Sequence, residues 1–154
     1  MGTPRGPYST DNPPETPDPG TILMKLEVVT LPVSDVDRAI RFYQSLGWRL
    51  GADFAFSDDV RGVQMTPPYS ECSIHFGTGI TTAEPGSVQR VVLAVDDIVA
   101  AREDLLARRI EVSEPFHRVG GEFPPGLDPE QGTYMTYVSF SDPDGKGGCS
   151  RPRR

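Results

Sequence analysis

Residues 31–50, LPVSDVDRAIRFYQSLGWRL, lie over residues 93–112, LAVDDIVAAREDLLARRIEV, without a gap. Leu31 matches Leu93, Val33 matches Val95, Asp35 matches Asp97, Val36 matches Ile98, Ala39 matches Ala101 and Leu50 matches Val112, at a constant offset of 62 residues. A strand, a cap and a helix that recur in the same order at one offset mark a duplicated fold unit. The second half of the chain must then build what the first half builds.

The first copy is read most easily. ILMKLEVVTLPV predicts a strand over 24–33. SDVDRAIRFYQSLG follows, with Ser34 placed to cap and Asp37 at the third helical position. Val36, Ala39, Ile40 and Tyr43 recur at helical spacing and Gly47 supplies the stop. WRLGADFAF, VRGVQMT and CSIHFG then read as three strands separated by SDD and PPYSE turns. The unit is βαβββ. In the second copy, strands are expected near 112–118 and 133–141, separated by the Gly/Pro-rich HRVGGEFPPGLDPEQG, which is too long for a simple hairpin and reads as a surface excursion or a binding loop. The fold class is α+β: two tandem modules, about 24–80 and 87–146, in a single domain over 23–146.

Both ends depart from this pattern. Residues 1–22 open with MGTPRGPYSTDNPPETPDPG, dense in Pro, Gly, Thr and Asp and nearly free of aliphatic residues. Such a segment buries too little apolar surface to offset its ordering entropy, so a disordered leader is expected, with Met24 as the natural initiator or the leader as a true flexible tail. At the other end FSDPDG should turn the chain into a counterpart of CSIHFG, but KGGCSRPRR follows, so the last strand is expected to be incomplete or replaced and 147–154 to be an atypical tail. A one-base shift offers a reading of this tail. Codons for Gly148 to Arg154 can be chosen so that the neighbouring frame encodes Trp-Leu-Leu-Gln-Ala-Glu-Ala, and the position after that Trp is apolar for any wobble base. A frameshift and a genuine basic tail both remain open.

Charge and cysteine content narrow the functional classes. A formal net charge of -7 argues against nucleic acid and anionic membranes, which reward clustered Lys and Arg, and favours a small neutral or cationic ligand. The two cysteines, Cys72 and Cys149, have neither disulfide-framework nor metal-site spacing, so a reducing cytoplasm is the expected location. No apolar run approaches the length of a membrane span.

Two βαβββ modules, a first strand ending LPVSD before RAIRFYQSLGW, a second ending LAVDDI, and a closing FSDPDG together resemble the glyoxalase, bleomycin resistance and extradiol dioxygenase (vicinal oxygen chelate) superfamily over roughly 24–146. The resemblance implies curved mixed sheets that form a cleft, helices on the outer face, and a homodimer. In metal-dependent members, one ligand comes from the first strand and one from the last strand of each module, and the metal chelates vicinal oxygens of the substrate. Carried over, the first-strand positions fall on Val28, which has no donor, and on Arg90, a permanent cation. The last-strand position of the first module falls at or beside His75, and the fourth lies in the altered tail. No metal and no other cofactor is therefore expected.

The candidate ligand-binding residues are Arg90, His75, Thr30, Gln64 and Tyr137. His75, between Ile74 and Phe76, is either a hydrogen-bonded lining residue or, if it faces the cleft, a ligand donor and the one candidate catalytic base. Arg90 shares a strand face with Val92 and Ala94 by alternation. It is either a bidentate clamp for a carboxylate or a strand-end residue reaching solvent. Thr30 and Gln64 are hydrogen-bonding candidates, and Tyr137 and Trp48 apolar walls, unless ordinary packing accounts for them. His117 is expected to be exposed. The reading is metal-independent binding of a small organic molecule, carboxylate-bearing or aromatic. The alternative is an enzyme of the same superfamily, a lyase or isomerase or a dioxygenase, using a divalent metal.

Overall fold

The computed structural model describes Asp18, residues 20–145 and the backbone strand Gly147–Pro152. In order the elements are β1 (Val28–Thr30), α1 (Val36–Ser45), β2 (Arg49–Ser57), β3 (Val60–Thr66), β4 (Ser73–Thr78), β5 (Val91–Val95), α2 (Ile98–Ala107), β6 (Phe116–His117), β7 (Thr136–Ser141) and β8 (Gly147–Pro152). The duplication predicted from the 62-residue offset is visible in the topology. One sheet has the order β1-β4-β3-β2 and the other β5-β8-β7-β6. In each, the first strand runs parallel to the last and the remaining pairs are antiparallel. This α+β arrangement agrees with the sequence reading.

Local signals explain why both copies take the same path. Asp35 caps α1 by accepting from the Arg38 backbone N–H at 2.9 Å, and Asp97 caps α2 by accepting from Val99 and Ala100 at 2.9 and 3.0 Å. The cap is thus the aspartate shared by both repeats, not Ser34. Asp37 is drawn instead to Arg61 at 3.0 Å. Arg61 also holds Asp53 through two bonds of 2.9 Å, which keeps the Asp53 carboxyl below its usual pKa. Each helix is followed by a left-handed residue: Gly47 at φ +82 after α1, and Arg109 at φ +61 after α2.

The core forms mainly on the helix-facing side of the first sheet. Leu31, Ala39, Tyr43, Leu46, Trp48, Val63, Met65, Ile74 and Phe76 are buried together, joined by Phe140 from β7 and flanked by Val91, Leu93, Leu105, Ile110 and Val112. Tyr43 lies against Trp48 and Phe76, with ring centroids 4.9 and 5.8 Å apart. Trp48 is therefore a core residue and not a pocket wall. Phe42 reaches Phe140 at 6.5 Å, so the two modules share apolar surface.

The DPDG turn gives the modules a polar junction. Tyr43 donates from its buried hydroxyl to Asp142 at 3.1 Å. Asp144 accepts from the Ser34 hydroxyl at 2.6 Å and from the Ser34 backbone N–H, and it pairs with Arg38 at 3.5 Å. Burial first, and then the Asp142 charge, raise the Tyr43 pKa well above the usual tyrosine range. Beyond this turn, Gly147–Pro152 occupies the slot between β5 and β7, with Val92 opposite Cys149 and Ser139 opposite Cys149. The last strand, expected to be incomplete or replaced, is present as paired backbone of the altered sequence. Ladder hydrogen bonds use main-chain groups that every residue except proline supplies in full, so an apolar strand sequence is not required to occupy the slot.

Other expectations shift in detail. The first strand covers only Val28–Thr30, because β4 begins at Ser73, opposite Val28, and Pro32 has no N–H to continue the ladder. In the second module, Val112 makes an isolated bridge to Phe140 and β6 is two residues long. His117, expected at the surface, is 9% exposed, and its Nδ1 lies 2.9 Å from the Gly126 carbonyl oxygen of the following loop. That loop also sets Phe123 edge-on to Tyr137. The expected leader falls largely outside the described residues. Among the described residues, no helix is long and apolar enough to cross a membrane.

Candidate functional site

Strand alternation turns Val63 and Met65 of β3 and Ile74 and Phe76 of β4 into the core, which leaves the intervening residues on the other face of the first sheet. There the register forms one rung across four strands: Thr30 opposite His75, His75 opposite Gln64, and Gln64 opposite Ala52. Directly opposed residues in a sheet share a face. Three of the candidate residues, separated by up to 45 positions in the chain, therefore stand side by side. Thr30 is exposed, and His75 and Gln64 are half-buried.

Two residues along the strands, the next rung pairs Gly77 with Gly62 and Gly62 with Phe54. Gly62 carries the geometry of the site. A Cβ there would lie 2.9 Å from His75 Nε2 and 3.3 Å from Phe56 Cε2, so the absent side chain is the space in which the imidazole and the ring meet. Phe54 and Phe56 are 61% and 72% exposed, with centroids 6.5 Å apart. Large aromatic rings at that exposure, beside an imidazole and an amide, form an apolar platform with hydrogen-bonding groups at its edge. Sequence reading had assigned both phenylalanines only to a strand. The available signal was their period of two, out of phase with Asp53.

On the opposite side of His75, the rung of Val28 and Ser73 is closed off. The Ser73 and Thr66 hydroxyls are 2.7 Å apart and both residues are buried. Val28 is 40% exposed and brings no donor to this face.

Arg90 does not share the strand face that alternation gave it. It precedes β5 and has φ +63, so strand alternation does not run through it and does not align its side chain with Val92 and Ala94. It is exposed. Tyr137 lies in the other sheet, 6% exposed, stacked on Phe116 at 5.6 Å and edge-on to Phe123 at 6.2 Å. The structure does not bring it into the Thr30–His75–Gln64 rung. Among the described residues, no three His, Cys, Asp or Glu side chains converge as a metal-ion cluster would require.

The family model described as Glyoxalase/Bleomycin resistance protein/Dioxygenase superfamily matches residues 25–146. Among solved structures, the chain is similar to TnmS3, an antibiotic binding protein from Streptomyces sp. CB03234, at 25% identity and a TM-score of 0.67, covering 87% of this chain and 99% of that one. It is also similar to a glyoxalase/bleomycin resistance protein from the same Streptomyces strain, at 26% identity and a TM-score of 0.62, covering 82% and 99% of the two chains. A bleomycin resistance determinant encoded on the transposon Tn5 shares the fold at 18% identity and a TM-score of 0.55, over 85% of this chain and 99% of that one. No curated protein matches the sequence.

Proposed function

The chain belongs to the glyoxalase/bleomycin resistance protein/dioxygenase superfamily, and on that premise we propose that it binds a small organic molecule without a metal, on the open face of its first sheet. The observation that carries this reading is the rung of Thr30, His75 and Gln64 beside the exposed rings of Phe54 and Phe56. An aromatic ligand would lay its face or edge against the phenylalanines, where ring pairs contribute about 0.5–1.5 kcal/mol beyond area burial. Its polar groups would meet the imidazole, the amide and the Thr30 hydroxyl. Arg90 is the group that a carboxylate on such a ligand would use. The antibiotic-binding relative supports this ligand class.

The donor set argues against a resident metal. Of the positions that metal-dependent members use, Val28 offers nothing, Arg90 repels a cation, and His75 is the single donor among the described side chains. The chain is also proposed to be a homodimer. Ile22, Leu23, Met24 and Leu26 lie 69–83% exposed just before β1, an edge strand of its sheet, and an apolar edge favours pairing with a second copy.

The test is a thermal unfolding series with bleomycin, a panel of aromatic antibiotics, chelator and divalent metals. An organic ligand at 100 times its dissociation constant stabilises the fold by about 2.7 kcal/mol. Binding at this face requires that the shift be lost in His75→Ala and Phe54→Ala proteins. If chelator lowers the midpoint and one metal restores it, the metal-free reading is wrong. Light scattering on the eluting peak reports the dimer, and a monomer mass would remove it.

A further inference from the structure

A second groove lies away from the His75 face. It has a volume of about 550 Å³ and is lined by Phe42 at the end of α1, by Arg109 to Ser113 between α2 and β6, and by Ser139, Phe140 and Ser141 of β7. Its apolar wall is the Phe42–Phe140 ring pair with Ile110 and Val112. Ile110 stands where the first repeat has Trp48, and Leu105 where it has Tyr43. The first module fills the corresponding region with two packed aromatic rings, whereas the second uses two aliphatic side chains.

The charged wall is Arg109. Its counterpart Gly47 has the left-handed conformation that suits glycine, and Arg109 holds the same conformation at φ +61 despite its side chain. No ion pair or side-chain hydrogen bond is made by its guanidinium among the described residues. The neighbouring Arg108, by contrast, is committed to Asp104 at 2.8 Å and to the Ser45 carbonyl at the end of α1 at 3.4 Å. The Ser113 hydroxyl is also committed, since it donates to the Glu114 carbonyl and accepts from the Ser139 N–H. Among the described residues, the hydroxyls of Ser139 and Ser141 make no such bonds. Glu111 is the one carboxylate on the wall.

We propose that this groove is a binding site, separate from the His75 face, for a small apolar monocarboxylate. Its ring system lies along Phe42, Phe140, Ile110 and Val112, and its carboxylate is bound by Arg109, which can form two parallel N–H···O bonds. A second negative charge on the ligand would meet Glu111, which restricts the site to molecules with one carboxylate.

The probe is naphthoate, titrated into isotope-labelled full-length protein and followed by amide heteronuclear spectra, with naphthalene methanol as the uncharged control. Saturable shifts are expected at Arg109, Ile110, Ser139 and Ser141. Removing the charge-assisted pair should weaken binding by about tenfold, whether by Arg109→Gln or by the alcohol on unaltered protein. Ile110→Trp should fill the groove and abolish the shifts. The proposal is overturned if naphthoate perturbs only the Thr30, His75 and Gln64 strands, if no shift saturates, or if acid and alcohol bind alike. The first of these outcomes would support the reading of the His75 face, and the other two leave it standing, because its own test uses other ligands and other residues.

Discussion

The two modules share a topology and differ in what fills them. Both have an aspartate cap, Asp35 or Asp97, both have a left-handed stop, Gly47 or Arg109, and both close a parallel first-to-last strand pair. The first buries Tyr43, Trp48, Val63, Met65, Ile74 and Phe76 behind its sheet, whereas the second buries Ile98, Tyr137, Val138 and Phe140 and leaves Leu105 and Ile110 only partly covered. The chain path is thus set by caps, stops and alternation, which tolerate wide changes in side-chain volume. Core volume is a separate variable, and it decides which module carries the stability and which retains a groove.

The largest expected effect tests that division. Trp48→Ala should cost about 3–5 kcal/mol in urea unfolding, while Ile110→Ala, at the matching position, should cost about 2 kcal/mol. Equal losses would break the asymmetry. Next, Tyr43→Phe removes the bond to Asp142 that joins the modules and should cost about 1–3 kcal/mol by leaving a buried acceptor underused. Its pH dependence has a definite sign. Because the folded Tyr43 pKa is raised, this stabilisation is complete below the unfolded value and is lost as pH climbs above about 10. Tyr43→Phe should therefore flatten the alkaline arm of the stability profile, and an unchanged arm would exclude the junction as its source.

Smaller effects sharpen the shared part of the comparison. Asp35→Ala and Asp97→Ala should each cost about 1 kcal/mol, because each removes the same kind of cap; calorimetry that finds one of them silent would mean that the helices are not equivalent. Arg109→Gly should raise stability by up to about 1 kcal/mol, since glycine relieves the left-handed strain that Gly47 avoids at the matching position of the first repeat. A loss of stability on chemical denaturation would show instead that the Arg109 side chain holds the second module together.

Much of this was legible in the chain. The offset that pairs Leu31 with Leu93 and Asp35 with Asp97 predicts the duplicated sheet order, because caps and periodicity are local signals and need no knowledge of the rest of the fold. Thr30, Gln64 and His75 were also singled out, and the register places them on one rung. The strand face given to Arg90 and the exposure given to His117 were misplaced for a common reason. Alternation and polarity describe a regular strand in solvent, whereas Arg90 sits at a left-handed residue outside β5 and His117 is buried beneath a loop that folds back on it. Phe54 and Phe56 were passed over because an exposed aromatic pair and a buried one look alike in a strand.

What the sequence determined by itself is the unit and its repetition: strand, capped helix and three strands, with a net acidic charge and no metal-ligand spacing. Only the tertiary structure decided which separate strands met. It set His75 over Gly62 beside Phe56, joined Tyr43 to Asp142 across 99 positions, and placed Gly147–Pro152 between β5 and β7. The physical reason is that local conformation follows from neighbouring residues, whereas register and contact follow from packing the whole chain around one core, which brings together residues that share no local pattern.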